Sequence, residues 1–186
     1  MSFSMPIRAG VVVAVTVLAL LATLAFAAAP QAAEAACRGA NNWKSLKQAR
    51  SALLCSVNQE RAKRGLRPMR TSRRLNGVAR RHAVDLVRFR FVGHNSPARG
   101  GLMHRIKASG WARGRGSWAF GEVMGDGLNR GATATRIMRA WMRRPIHSKA
   151  ILHPRFTSMG VGAVYGRPRG SRGKRGGRTY VMTFAG

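Results

Sequence analysis

The chain has 186 residues and carries 34 Lys and Arg against five Asp and Glu, a formal net charge of +29. This length suits a single domain with a real core, and the absence of internal repeats excludes a repeat array. The charge predicts attraction to polyanions such as teichoic acids, anionic glycans, phospholipid surfaces or DNA. No motif of a nucleic-acid-binding module accompanies it, and a GC-rich genome is an alternative origin for the excess of Arg over Lys.

Residues 1–35 have the features of a secretory signal peptide. Arg8 provides a positive start, an uncharged apolar run follows it, and cleavage is expected after Ala35 or after Ala27. An uncleaved membrane anchor is the alternative, because the run reaches about 20 residues when it is extended to Ala29. We therefore expect a secreted protein, with association with the cell envelope as a further option.

The next segment, residues 36–50, is predicted to be an N-terminal arm leading into one domain over residues 51–186. Cys37 and Cys55 are the two cysteines of the chain. An isolated even pair in an exported protein predicts a disulfide, which would fasten the arm to the first helix. Two buried free thiols are the alternative.

Four helices are predicted from apolar residues at helical spacing and from their end signals. They cover residues 47–64, 72–89, 101–109 and a segment from Thr133 to Pro145. Ser72 and Thr133 are candidate N-caps, while Gly65 and Gly110 end the first and third helices. His82 lies on the apolar face of the second helix and is expected to be a core histidine.

Strand patterns concentrate in the second half of the chain. Residues 158–165 and 178–184 alternate in the manner of strands, and the Gly/Arg-rich segment 166–177 between them predicts a hairpin loop. A shorter strand is expected at 118–123, with Asp126 in a turn after it. Helices followed by an antiparallel meander predict an α+β fold with a small antiparallel sheet.

The acids are few enough to be examined one by one: beyond Glu34 they are Glu60, Asp85, Glu122 and Asp126. Glu122 falls between His94 and His147 in the sequence. A carboxylate and two imidazoles would give three metal ligands with one open position, or an acid/base pair. The alternative is a structural hydrogen-bonded cluster in which the carboxylate fixes both imidazoles.

Nucleophile motifs are absent, since neither GxSxG nor HExxH occurs. Ser96 and Ser148 lie close in sequence to His94 and His147, so a hydrolytic arrangement stays open, although neither spacing is specific. No residue is assigned a catalytic role, and the sequence leans against an enzyme.

Eight motifs occur in an order and spacing that resemble the bacterial branch of the CAP superfamily, which also contains cysteine-rich secretory, antigen 5 and pathogenesis-related proteins. The resemblance covers about residues 52–186. Its motifs are LLCSVNQERAKRGLRPM (53–69), RRLNGVARRHAVDL (73–86), FVGHNSP (91–97), HRIKASGW (104–111), FGEVMG (120–125), AWMRRPIHSKAIL (140–152), FTSMGVGAVYG (156–166) and TYVMTFAG (179–186).

The resemblance implies a three-layer α-β-α sandwich with an open cleft lined by two histidines and one or two acids. The cleft residues of the family fall on His94, Glu122 and His147, and in the family such a cleft can hold a divalent metal such as zinc. The second acid has no counterpart in this chain. Val123 replaces an Asn, and Arg144 to Ser148 depart from the usual Ser-Pro-Gly-His-Arg.

The resulting expectation is a secreted, monomeric binding module at the cell envelope whose cleft holds a small or lipidic ligand, with or without a metal. Two alternatives stay open. One is a metal-assisted hydrolase that uses the same cleft. The other is a cationic protein that binds anionic envelope polymers or lipids and whose cleft is vestigial.

Overall fold

A computed structural model describes residues 37–169 and 176–186, which belong to one compact unit. The expected signal peptide (1–35) and the tip of the predicted hairpin loop (170–175) lie outside the described residues. Among the described residues, no helix combines the length and the apolar character needed to cross a membrane.

The elements follow one another as five helices and four strands in the described part of the chain. The helices are α1 (Leu46–Ala62), α2 (Arg73–Arg88), α3 (Leu102–Ala108), α4 (Ala134–Met142) and α5 (Pro145–Ile151), with a 3₁₀ turn at Asn129–Ala132. The strands are β1 (Arg70–Thr71), β2 (Phe120–Leu128), β3 (Ser158–Tyr165) and β4 (Gly177–Ala185).

Two predicted N-caps are confirmed. The hydroxyl of Ser72 accepts a hydrogen bond from the backbone N–H of Leu75, and that of Thr133 accepts one from Arg136. Each cap satisfies a backbone donor that the first turn of a helix would otherwise leave unpaired. The helix α5 was not predicted. Pro145 occupies its first turn, where proline is well tolerated because no intrahelical bond is lost.

The four strands form one sheet in the order β1-β3-β4-β2. The pairs β3–β4 and β4–β2 are antiparallel, as expected, whereas the two-residue strand β1 runs parallel to β3. Every residue of the central strand β4 is buried. Helices cover both faces of the sheet, which confirms the three-layer α-β-α sandwich.

One face carries the larger core, built from α1, α4, α5 and the sheet; it includes Leu53, Trp141 and Phe184. The opposite face is covered by α2 and α3. Gly160 of β3 lets α2 approach this face closely, because a Cβ there would come within 2.1 Å of the backbone carbon of Leu75.

Strand β2 is longer than the predicted segment 118–123, and Asp126 lies within it rather than in a turn. The glycines that indicated a loop have a packing role instead. A Cβ on Gly125 would come within 3.0 Å of the indole nitrogen of Trp141. Asp126 forms an ion pair with Arg167.

The predicted disulfide is present: Cys37 and Cys55 are bonded, with their Cα atoms 5.7 Å apart. It fastens the N-terminal arm to α1. A backbone hydrogen bond of 3.1 Å from the N–H of Thr135 to the carbonyl of Ala40 ties the same arm to α4. The arm is therefore attached to both α1 and α4.

Candidate functional site

The candidate site is built around Glu122 on β2. Its neighbour Val123 enters the core beneath α1 and α4, and side chains alternate along a strand, so Glu122 points to the opposite face, beneath α2 and α3. Its side chain is completely buried. A buried carboxylate is costly unless it is paired and hydrogen-bonded.

Arg105 of α3 supplies the pairing. Its Nη1 lies 3.0 Å from Oε2 of Glu122, and its Nη2 lies 3.1 Å from Oε1. The same Nη2 donates to the backbone carbonyl of His94 at 2.7 Å. This two-pronged geometry is the strongest way for an arginine to hold a carboxylate. Both charges of the buried pair are thus compensated within the protein.

His94 contacts the carboxylate from the solvent side. Its Nδ1 is 3.0 Å from Oε1 of Glu122, while 59% of its side chain is exposed. A carboxylate accepts hydrogen bonds, so Nδ1 carries the proton and donates. The other nitrogen, Nε2, is then an unprotonated acceptor in neutral imidazole. Glu122 therefore fixes the orientation and the tautomer of an accessible histidine.

His82 of α2 completes the cluster from within the core. Its Nε2 lies 2.9 Å from the carbonyl of Gly93 and 3.5 Å from Oε1 of Glu122. The carbonyl can only accept, so Nε2 carries a proton and donates it to this bond. The expectation of a core histidine agrees with its complete burial, and its contact with the site was not predicted.

The charges of the cluster are reflected in its pKa values. Burial raises the pKa of Glu122, but hydrogen bonds from His94 and Arg105 lower it more, so the net pKa lies below the ordinary range. Burial lowers the pKa of His82 despite the opposing attraction of Glu122. At neutral pH the cluster therefore consists of an anionic Glu122, a cationic Arg105 and a neutral His82.

His147 lies on α5 and is half-buried. Burial lowers the pKa of its imidazole, and the positive charges of Arg144 and His94 lower it further. His147 forms no hydrogen bond with Glu122, and its Nδ1 has no partner among the described residues. The structure thus brings His94 and Glu122 into contact, whereas no hydrogen bond among the described residues joins His147 to them.

The arrangement of His94, Glu122 and His147 does not suit these side chains as ligands of one divalent metal ion. Within residues 37–169 and 176–186, no three His, Cys, Asp or Glu side chains are grouped closely enough to hold a metal ion. Both oxygens of Glu122 already accept hydrogen bonds from Arg105, and a dication bound there would face the guanidinium at close range. Arg105 thus occupies the carboxylate that the tentative zinc site requires, and zinc binding at His94, Glu122 and His147 stays a prediction.

The two serines considered as nucleophiles bond elsewhere. Ser96 donates to Asp85 at 2.5 Å and accepts from the backbone N–H groups of Ala98 and Arg99. Ser148 donates to the carbonyl of Pro145. Neither hydroxyl is hydrogen-bonded to a histidine, so the described contacts give both serines structural roles.

A pocket of about 250 Å³ opens next to His147, at the free edge of β2. Its walls come from α2, the segment after it, α4 and β2; they include Leu86, Val92, Met124, Ile137 and Trp141. Trp141 also donates from Nε1 to the carbonyl of Met124 at 2.9 Å, which satisfies a backbone acceptor of the edge strand. Arg144 and His147 provide polar groups in the lining. The result is an apolar pocket with a cationic side.

Sequence reasoning missed Arg105, which decides the charge of the site. A signal was present: Leu102, Arg105 and Ile106 follow the i, i+3, i+4 spacing of a buried helix face, and all three are buried. An arginine on such a face requires a partner, and the scarcity of acids leaves few choices.

Comparison with known proteins places the chain in a family. A family model described as CAP, the cysteine-rich secretory protein family, matches residues 54–184. The uncharacterized protein YkwD of Bacillus subtilis (strain 168) is 31% identical over 109 residues, which are 58% of this chain. The chain spans only 39% of that relative's length.

Two solved structures share the fold. An outer surface protein from Borrelia burgdorferi gives a TM-score of 0.57 at 19% identity, over 72% of this chain and 88% of its own. An extracellular protein containing an SCP domain from Bacillus anthracis str. Ames gives 0.58 at 20% identity, over 75% of this chain and 43% of its own. Since the family model spans most of the described domain, the chain belongs to the CAP family of cysteine-rich secretory proteins.

Proposed function

We propose that this protein is a secreted binding module of the cell envelope whose pocket beside His147 takes a small or lipidic ligand. The observation that carries the proposal is the apolar pocket of about 250 Å³ between α2, α4 and the edge of β2. Drug-sized ligands occupy pockets of roughly 300–1,000 Å³. The size therefore suits a single acyl chain or a small molecule better than a bulky substrate.

The polar groups of the pocket support an anionic head group on that ligand. Arg144 contributes a positive charge, while Asp126 is engaged by Arg167 and so opposes it less. A carboxylate or phosphate near Arg144, with its chain against Leu86 and Trp141, would satisfy both the charge and the apolar walls.

Secretion is supported by the N-terminal sequence, by the disulfide and by the structural neighbours. The N-terminal sequence has the pattern of a signal peptide. The chain also contains a disulfide, and disulfides persist in oxidising compartments. The two structural neighbours named above are described as an outer surface protein and an extracellular protein.

A metal-assisted hydrolase is the alternative for the same residues. In its favour, His94 is accessible and is oriented by a carboxylate, as a general base would be. Against it, Arg105 already forms hydrogen bonds with the carboxylate of Glu122. The described residues also contain no group of three side chains that could bind a metal ion, and no serine hydrogen-bonded to a histidine. Binding without chemistry requires none of these missing parts.

The proposal is tested with a defined probe, dansyl-labelled undecanoic acid, whose fluorescence rises in an apolar pocket. Ala140 lines the pocket with an exposed side chain, so Ala140→Trp should fill the space without disturbing the core. Ala62→Trp, at the exposed end of α1, is the matched control.

We expect saturable binding in the wild type and the control, and a loss of at least about tenfold in the Ala140→Trp variant, because steric exclusion removes the chain's contacts. Equal binding by both variants, or no saturable binding in the wild type, would refute the pocket assignment. Turnover of p-nitrophenyl butyrate that disappears in His94→Ala would instead favour the hydrolase.

A further inference from the structure

A second cavity lies on the other side of α4, between that helix and the N-terminal arm. It has a volume of about 710 Å³ and is called the arm groove here. Its lining includes Trp43, Lys44, Arg130, Thr135, Arg136 and Arg139. It shares no residue with the pocket beside His147, so nothing in the proposed function accounts for it.

The cations of the arm groove have no acidic partner among the described residues. The four acids of the described residues form ion pairs outside the groove: Glu60 with Lys63 and Arg64, Asp85 with Arg99, Glu122 with Arg105, and Asp126 with Arg167. Lys44, Arg130, Arg136 and Arg139 are all exposed. Four uncompensated cations around one concave surface create a site for an anion with several charges.

The arm groove is already formed without a ligand. The disulfide Cys37–Cys55 and the bond from Thr135 to Ala40 hold the arm against α1 and α4. The side chain of Asn42 accepts from the backbone N–H of Lys44 at 2.8 Å, which shapes the turn that carries Trp43. A rigid surface loses less conformational entropy when it binds.

Trp43 adds an aromatic surface to the charges. The guanidinium of Arg178 stacks 5.1 Å from its ring centroid, and the ammonium of Lys44 lies 6.0 Å away. The buried Arg178 thus packs against the half-buried ring. Neutral hydrogen-bonding groups lie beside it, namely the amide of Asn41 and the hydroxyl of Thr135.

We propose that the arm groove binds an acidic oligosaccharide. Guanidinium groups suit carboxylate or sulfate groups, amides and hydroxyls suit sugar hydroxyls, and a tryptophan ring offers an apolar face to a sugar ring. Single-stranded nucleic acid is favoured less, because its binding relies on several aromatic platforms, and Trp43 is the single aromatic residue among the described residues that line the groove.

The test uses a heparin-derived hexasaccharide and the full mature chain in isothermal titration calorimetry. The groove variant is Arg130→Gln/Arg136→Gln/Arg139→Gln. The control is Arg73→Gln/Arg80→Gln/Arg113→Gln, which removes the same charge from exposed sites of other elements. We expect affinity to fall about tenfold or more in the groove variant and less than about threefold in the control, and the salt dependence to weaken in the groove variant.

Trp43→Ala separates the aromatic contribution from the charge. We expect weaker binding with an unchanged salt dependence, because no charge is removed. Equal losses in the two triple variants would overturn the proposal in favour of a general field effect, and so would a lack of hexasaccharide binding. An oligonucleotide of equal charge that binds more tightly and loses its affinity in the groove variant would overturn the choice of a saccharide. Because the probe and the variants differ from those for the pocket beside His147, either proposal can fail alone.

Discussion

Two buried arginines on opposite faces of the sheet behave differently. Arg61 of α1 is 1% exposed and donates to the backbone carbonyls of Arg67, Ile151, His153 and Phe156, with no carboxylate in the set. Arg105 of α3 is 4% exposed and divides its donors between the carboxylate of Glu122 and the carbonyl of His94. The first arginine fastens loops together, whereas the second determines the charge of the candidate site.

The contrast shows that a buried cation can be satisfied either by dipoles or by a countercharge. Burial lowers the pKa of Arg61, because no carboxylate opposes the cost of desolvation. In the other region the pKa of the acid is lowered, because Arg105 and His94 stabilise its anion. The Arg61 region should therefore respond mainly to loss of hydrogen bonds, and the Arg105 region to changes of charge and pH.

The largest effect is expected from Arg61→Ala. The change leaves four carbonyls without their donors and opens a cavity, so we expect the free energy of unfolding to fall by about 4 kcal/mol. The control is Arg64→Ala, which removes an exposed surface ion pair with Glu60 and should cost less than about 1 kcal/mol. Urea denaturation measures both. Similar losses in the two variants would show that the bonds of Arg61 contribute little.

Glu122→Gln comes next, with an expected loss of about 3 kcal/mol at neutral pH, because Arg105 would keep a buried and uncompensated charge. The double variant Glu122→Gln/Arg105→Met removes both charges and should be more stable than Glu122→Gln alone. A double-mutant cycle by urea denaturation measures the coupling. Additive losses would contradict the pairing.

A smaller effect is expected from pH through His82. Its folded pKa lies below its ordinary value, so the unfolded chain takes up a proton first as the pH falls through about 6.5. Stability should therefore decline on acidification by roughly 1 kcal/mol per pH unit until the folded-state pKa is reached. Glu122 adds a further loss below about pH 4.3, because its folded pKa is lowered as well.

His82→Gln isolates the contribution of this histidine, since an amide can still donate to the carbonyl of Gly93. We expect the variant to lose less stability than the wild type between about pH 6.5 and 5.5. Some pH dependence of the free energy of unfolding should remain, because the pKa of His147 is lowered as well. Parallel stability curves for the two proteins would show that His82 does not titrate on unfolding.

The smallest effect is expected from zinc. Arg105 occupies the carboxylate, so about 1 mM zinc should raise the wild-type melting temperature by less than roughly 1 °C. Arg105→Gln, which frees Glu122 beside His94, should respond more. Differential scanning calorimetry at about pH 7.5, where imidazoles are neutral, measures both. Strong stabilisation of the wild type by zinc, abolished by His94→Ala, would show that zinc binds at His94.

Local sequence features predicted most of the helices. Ser72 and Thr133 cap α2 and α4 as expected, and Gly65 and Gly110 follow the ends of α1 and α3 with positive φ angles of 66° and 73°. These signals depend on contacts within one turn of the chain, so they can be read without the fold. The same locality explains the errors in β2, where glycines needed for distant packing resembled loop glycines.

The family motifs also placed His94 and Glu122 together, and the isolated cysteine pair predicted the disulfide. They did not indicate which cation would reach Glu122. With 34 Lys and Arg in the chain, every acid has many candidate partners, and only the packing of α3 against β2 selects Arg105. Likewise, α5 does not bring His147 into hydrogen-bond contact with Glu122.

The sequence by itself determined the helical caps, the disulfide, the family and the pairing of His94 with Glu122, because each depends on short-range patterns or on motif order. Tertiary structure decided the ion pair that neutralises the site, the pocket at the edge of β2 and the arm groove. Each of these brings together elements that are distant along the chain, and their geometry depends on how both faces of the sheet pack.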